Sequence, residues 1–163
     1  MRNLTLLLLI GLISVSFFYL YPGSAEGLVK KDSFEIIAQR GVHHAYPRHS
    51  LGPDVCTAEH ILKPTHGFIE NTIASIQAAF DYGATVVEID VRPTKDHQLV
   101  VFHDDDLACR TDAEGFVWDL SLDELKKLDL GYGYTFDAGK TYPFRGKAVG
   151  EISTLTEVLQ RFP

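Results

Sequence analysis

Apolar residues along this chain fall into short runs separated by turn-forming residues, and the spacing within each run predicts a type of element. Phe34-Glu35-Ile36-Ile37-Ala38 reads as a short buried strand that ends at Gln39-Arg40-Gly41. An irregular stretch follows from Val42 to Gly67, carrying Pro47, Pro53 and Pro64. Ile69, Ile73, Ile76 and Phe80 then recur at helical spacing, one face of a helix that Gly83 would stop. Val86 to Val91 predicts a second strand, Lys95-Asp96-His97-Gln98 a turn, and Leu99 to Phe102 a third strand. Ser121-Leu122-Asp123-Glu124 and Thr154-Leu155-Thr156-Glu157 both fit capping boxes at helix starts. Between them, residues 131–150 are rich in glycine and aromatics, as in a loop or small lid. Strand, helix, strand, strand, excursion and helix fit a parallel α/β protein better than an all-β one. With about three strands, this is a small open sheet or the front part of something larger; an α/β barrel takes typically about 250 residues and eight strands.

Composition changes the picture at the N-terminus. Arg2 precedes an almost unbroken apolar stretch from Leu4 to Tyr21. One reading is a secretory signal peptide cleaved near Gly23-Ser24-Ala25. The other is an uncleaved anchor that associates with the membrane, with Phe17, Phe18, Tyr19 and Tyr21 at the interface. Both make the protein exported, either periplasmic or extracellular or anchored by residues 4–21, and both set residues 1–26 apart from a domain over 27–163. The formal net charge of −7 argues against nucleic acid as a partner. An oxidising compartment permits Cys56 and Cys109, the two cysteines of the chain, to pair as a disulfide across the first loop and the excursion.

The candidate chemistry lies at the strand ends. Side chains alternate along a strand, so Glu88 and Asp90 are expected on one face, where two carboxylates suit a hard divalent cation. His103 ends the next strand, beside that cation, where an acid or base is useful. Asp104 either orients His103 or caps the turn. His43, His44, His49, His60 and His66 are scattered without a standard metal spacing and read as surface histidines.

An ordered set of motifs adds a resemblance. Ile37-Ala38-Gln39-Arg40-Gly41, Glu70-Asn71-Thr72, Glu88-Ile89-Asp90-Val91, Leu99-Val100-Val101-Phe102-His103-Asp104 and Cys109-Arg110-Thr111 together resemble the start of the glycerophosphodiester phosphodiesterase family. The resemblance covers residues 35–163 and implies a TIM-barrel-like fold, with the region 105–150 as an excursion over the active-site mouth. It implies metal-dependent hydrolysis of a small-molecule glycerophosphodiester to glycerol 3-phosphate and an alcohol, with bound Ca²⁺ or Mg²⁺. His103 would be a catalytic acid/base, Arg40 would hold the phosphate, Glu88 and Asp90 would be metal ligands, and Glu70 would support the metal or Arg40. The implied first step is attack by the substrate's own glycerol hydroxyl on phosphorus, giving a cyclic phosphate that water then opens.

Two departures qualify this. The family's His-Arg-Gly is Gln39-Arg40-Gly41 here, and glutamine does not titrate near neutral pH. His43 or His44 in the adjoining loop is the expected substitute. The remaining strands, with a third metal ligand and a phosphate-contacting lysine, are expected beyond this sequence, leaving the domain incomplete at its C-terminus. The rival expectations are a binding homologue without catalysis and an inactive truncated fragment. A smaller departure is His97, where the family turn usually has glycine.

Overall fold

The computed structural model describes residues 35–48, 51–52 and 55–163. The leader over residues 1–26, with its anchor at 4–21, and His49 lie outside the described residues. Among the described residues no helix is long and apolar enough to cross a membrane.

Strand β1 (Ile37–Gln39) pairs in parallel with β2 (Val86–Glu88), in the register Ile37 to Val86 and Gln39 to Glu88. Helix α1 (Ile73–Asp81) lies between them in sequence, making a βαβ unit. Thr72 caps α1: its hydroxyl accepts from the Ser75 amide at 3.2 Å while Ser75 Oγ accepts from the Thr72 amide at 3.3 Å. This reciprocal pair satisfies two N–H groups that a helix start leaves open. Ile69 therefore precedes the helix, and it packs in a different cluster from Ile73, Ile76 and Phe80.

The single strand expected over Val86 to Val91 divides in two. Its second part, β3 (Val91–Pro93), pairs antiparallel with β4 (Leu99–Val101). The turn between them explains this correction. A link as short as Pro93 to Leu99 can join antiparallel strands, whereas a parallel pair needs a crossover of about a dozen residues. His97 in that turn has φ 61°, a left-handed conformation that glycine adopts without cost. The strands are also less covered than expected, with Ile37 62 % exposed.

Among the described residues, two apolar clusters hold the fold. The smaller joins Ile76 of α1, Val101 of β4 and Val158 of α3 (Leu155–Arg161), with Val87, Ile89 and Phe162 around them. The larger gathers Val100 and Phe102, Ile61 and Ile69, and Leu107, Val117, Leu125, Leu130, Tyr134, Phe144, Ala148 and Ile152 from the segment beyond the third strand. The glycine-rich segment 131–150 is thus part of the main core rather than a loose lid. Gly133 shows why small residues are needed there, because a Cβ would lie 2.0 Å from the Cys109 carbonyl oxygen. Helix α2 (Leu122–Leu125) starts at the expected capping box, with Glu124 Oε2 accepting from the Ser121 amide at 2.8 Å.

His44 sits inside this packing. It is 3 % exposed and stacks on His66 at 4.2 Å and Phe144 at 4.6 Å. Its Nε2 has no hydrogen-bond partner. Burial, with the neighbouring His66, lowers its pKa to about 4. The unfolded chain binds a proton at this residue below its ordinary pKa of 6.5, whereas the native state refuses it until about 4. Stability supplied here is therefore complete above that ordinary value and is lost as pH falls through the interval, by at most about 3 kcal/mol. Denaturant unfolding across this range should show the loss in the wild type and a flatter profile in His44→Phe.

Candidate active site

The end of β1 is a sharp turn. Arg40 has φ 58° and Gly41 φ 74°, two successive left-handed residues. A Cβ on Gly41 would meet Ser75 backbone atoms at 2.8 Å, so the turn seats against the start of α1 only with glycine there. The Arg40 amide donates to the Glu88 carbonyl at 2.7 Å, and its carbonyl accepts from the Asn71 amide at 2.9 Å. Backbone strain of this kind is held in place by the bonds around it and collects at functional sites.

Arg40 is buried, and its Nη1 donates to Glu70 Oε1 at 2.9 Å. Its Nε lies 3.3 Å from Asp90 Oδ2 but has no hydrogen-bond partner. Asp90 Oδ2 instead accepts from Asn71 Nδ2 at 3.0 Å. Nε is enclosed and Nη1 is committed to Glu70, so Nη2, which has no partner among the described residues, is the donor left for an anion such as a phosphate.

His103 follows β4, half-buried. Its Nδ1 is 2.7 Å from Asp104 Oδ1. That bond assigns the tautomer: Nδ1 carries the proton toward the carboxylate, and Nε2 is the nitrogen left to exchange a proton with a substrate. Asp104 thereby orients His103. Burial opposes its ionisation, but the His103 bond and the Arg110 charge prevail and hold its pKa down to about 2. Burial likewise works against an ionised Glu70, and Arg110 and Arg40 overcome it, keeping that carboxyl below its usual range.

Gln39, Arg40, His103 and Asp104 line one cleft of about 930 Å³, together with Tyr46, Arg48 and Arg92. Arg92 joins the wall through an ion pair to Asp105 at 2.6 Å and a hydrogen bond from Nη2 to the His103 carbonyl at 2.5 Å. Cys56 and Cys109, also on the wall, form a disulfide.

The remaining expected residues fall differently. His43 Nδ1 is 3.1 Å from the Gln39 carbonyl oxygen, and His43 does not line the cleft. Glu70 was expected to support the metal or Arg40. Both of its carboxylate oxygens face guanidinium groups, Oε1 on Arg40 and Oε2 on Arg110 at 3.2 Å. Of the two roles expected for Glu70, the contact it makes here is the one to Arg40. Glu88 is exposed and makes no side-chain hydrogen bond or ion pair among the described residues. Its free carboxylate and the unshared oxygen of Asp90 suit a hard cation, but no group of three or more such donors converges among the described residues.

Arg110 was missed as a site residue, although Cys109-Arg110-Thr111 stood out as a motif. It lies between Asp104 and Glu70, two carboxylates far apart in sequence whose cation no local pattern identifies. The glycerophosphoryl diester phosphodiesterase family model matches residues 40–163. The chain belongs to this family. A glycerophosphodiester phosphodiesterase of Bacillus subtilis is 38 % identical over 117 residues, 69 % of this chain and 38 % of the relative. Among solved structures, the glycerophosphoryl diester phosphodiesterase domain of an uncharacterized Mycobacterium tuberculosis protein matches with a TM-score of 0.58 at 26 % identity, covering 81 % of this chain and 41 % of that one. An Oleispira antarctica phosphodiesterase in complex with the product sn-glycerol-3-phosphate matches with a TM-score of 0.51 at 29 % identity, over 78 % of this chain and 39 % of that one. The fold of this glycerophosphoryl diester phosphodiesterase family member is thus TIM-barrel-like, as the resemblance implied, with no closed barrel among the described residues. The chain spans between 31 % and 38 % of the length of the first curated relatives it matches.

Proposed function

We propose that this chain carries the first catalytic elements of a phosphodiesterase that cleaves glycerophosphodiesters to glycerol 3-phosphate and an alcohol. The observation that supports this best is that Arg40 and His103 line the same cleft, a guanidinium whose Nη2 has no partner among the described residues and an acid/base oriented by Asp104. Arg40 binds the phosphate and draws charge from its oxygens as phosphorus is attacked. His103, held by Asp104, takes the proton from the attacking glycerol hydroxyl or gives one to the leaving alcohol. The divalent cation, Ca²⁺ or Mg²⁺, belongs to this reading: Glu88 and Asp90 would hold it, and it would stabilise negative charge on the phosphoryl oxygens. Export of the protein, as the apolar segment 4–21 suggests, is consistent with the disulfide between Cys56 and Cys109.

Incubating the full chain with glycerophosphocholine and a divalent cation should release glycerol 3-phosphate, and chelation should stop it. Gln39 sharpens the test. It is exposed on the cleft wall where the family has a histidine, so Gln39→His should raise the rate by about 10²-fold or more. No release from either protein would overturn the catalytic reading. The same glutamine favours a second reading, a module that binds the diester without cleaving it, and calorimetric binding without turnover would establish that instead.

A further inference from the structure

The cleft residues are joined behind the wall by one side chain that the reaction has not yet used. Arg110 is 3 % exposed and spends its guanidinium on four partners. Nε donates to Asp104 Oδ2. Nη1 donates to the Tyr134 hydroxyl at 2.9 Å and lies 3.2 Å from Glu70 Oε2. Nη2 donates to Thr57 Oγ1 at 2.9 Å. The two carboxylates each turn their second oxygen to a cleft residue: Asp104 Oδ1 to His103 Nδ1 at 2.7 Å, and Glu70 Oε1 to Arg40 Nη1 at 2.9 Å.

We propose that Arg110 is the positioning residue of this site, a single buried fork that sets the placement of the proton-carrying histidine relative to the phosphate-binding arginine. The proposal rests on the roles given above to His103 and Arg40, and Arg110 itself touches no substrate. A buried carboxylate, Glu70, and a partly buried one, Asp104, gathered at one point repel and would relax apart or take up protons without a cation between them. Arg110 neutralises both, and its planar donors fix their directions as the point charge of a lysine does not. Each carboxylate then transmits that direction outward, Asp104 to the imidazole and Glu70 to the guanidinium of Arg40. The anchorage of Arg110 is itself fixed, because Thr57 and Arg110 directly follow the two cysteines of the disulfide.

The test compares Arg110→Met and Arg110→Lys with the wild type in two readouts. The first is the ¹⁵N NMR signature of the His103 ring, which reports its tautomer and needs no turnover. The second is the affinity for inorganic phosphate. Wild type should show the Nδ1–H tautomer. Both variants should show a mixture of tautomers, and phosphate affinity should fall about tenfold or more, the loss of a charge-assisted, pre-organised contact. Leu107→Ala, a fully buried core change nearby, should lower the melting temperature and leave both readouts alone. If the Arg110 variants behave like Leu107→Ala, Arg110 is structural only and the proposal fails. If wild type binds no phosphate, the Arg40 reading fails, while the His103 signature still judges Arg110. Thr57→Val, which removes one acceptor from Arg110, should move both readouts in the same direction and serves where the larger changes prevent folding.

Discussion

Replacing His103 with asparagine is expected to lower diester cleavage by about 10²- to 10⁴-fold with the fold intact, the cost of losing a positioned acid/base. Asparagine keeps an N–H near the Nδ1 position, so Asp104 retains a donor there and remains tied to Arg110 on its other oxygen. What the variant lacks is a nitrogen that takes and returns a proton near neutral pH. His103 is half-exposed at the cleft, so little packing is lost with it. Release of glycerol 3-phosphate, measured beside a thermal melt, separates the two contributions. A variant within tenfold of wild type, with an unchanged melt, would remove His103 from the proton-transfer step.

The largest expected effect on stability comes from the disulfide. Cys56 and Cys109 close a loop with a sequence separation of 53 residues. Constraining a loop of that length in the unfolded chain contributes about 4 kcal/mol by chain entropy. The double variant Cys56→Ala, Cys109→Ala should therefore melt about 10 °C or more below wild type. The first loop and the segment beyond the third strand meet at this bond, and each also brings apolar residues to the main core, Ala58 and Ile61 from one side and Leu107 and Val117 from the other. A melting temperature within about 2 °C of wild type would mean that packing alone holds the two segments together.

The sequence made the local features legible and left the long-range ones hidden. Helix starts were readable because a capping box is a four-residue motif, and Thr72, Ser121 and Thr154 all cap helices. The Thr72 cap is harder to read, because the apolar spacing runs back to Ile69 and Ser75 completes the box as serine rather than glutamate. The division of Val86 to Val91 was in principle readable from the short turn after Pro93, which forbids a parallel partner. Periodicity alone carried the apolar run straight through Ile89 and Asp90. At the site, Arg40 and His103 were found by motif, and Gln39 by its departure from one. The ion-pair network was not found. Its links join Arg40 to Glu70 and Glu70 to Arg110, partners separated by tens of residues whose charges carry no mark of whom they face. Glu70 stayed open between the metal and Arg40 for the same reason, since a carboxylate reads alike whichever cation will meet it.

The packing of the segment beyond the third strand bears on how a substrate comes and goes. Tyr134, Phe144 and Ala148 are buried in the same cluster as Val100 and Phe102 of the third strand run. Swinging that segment aside would expose this cluster to water, an opening close in free energy to unfolding the domain itself. Residues 131–150 are therefore a fixed part of the domain, and the cleft, which they do not line, does not depend on their movement to open.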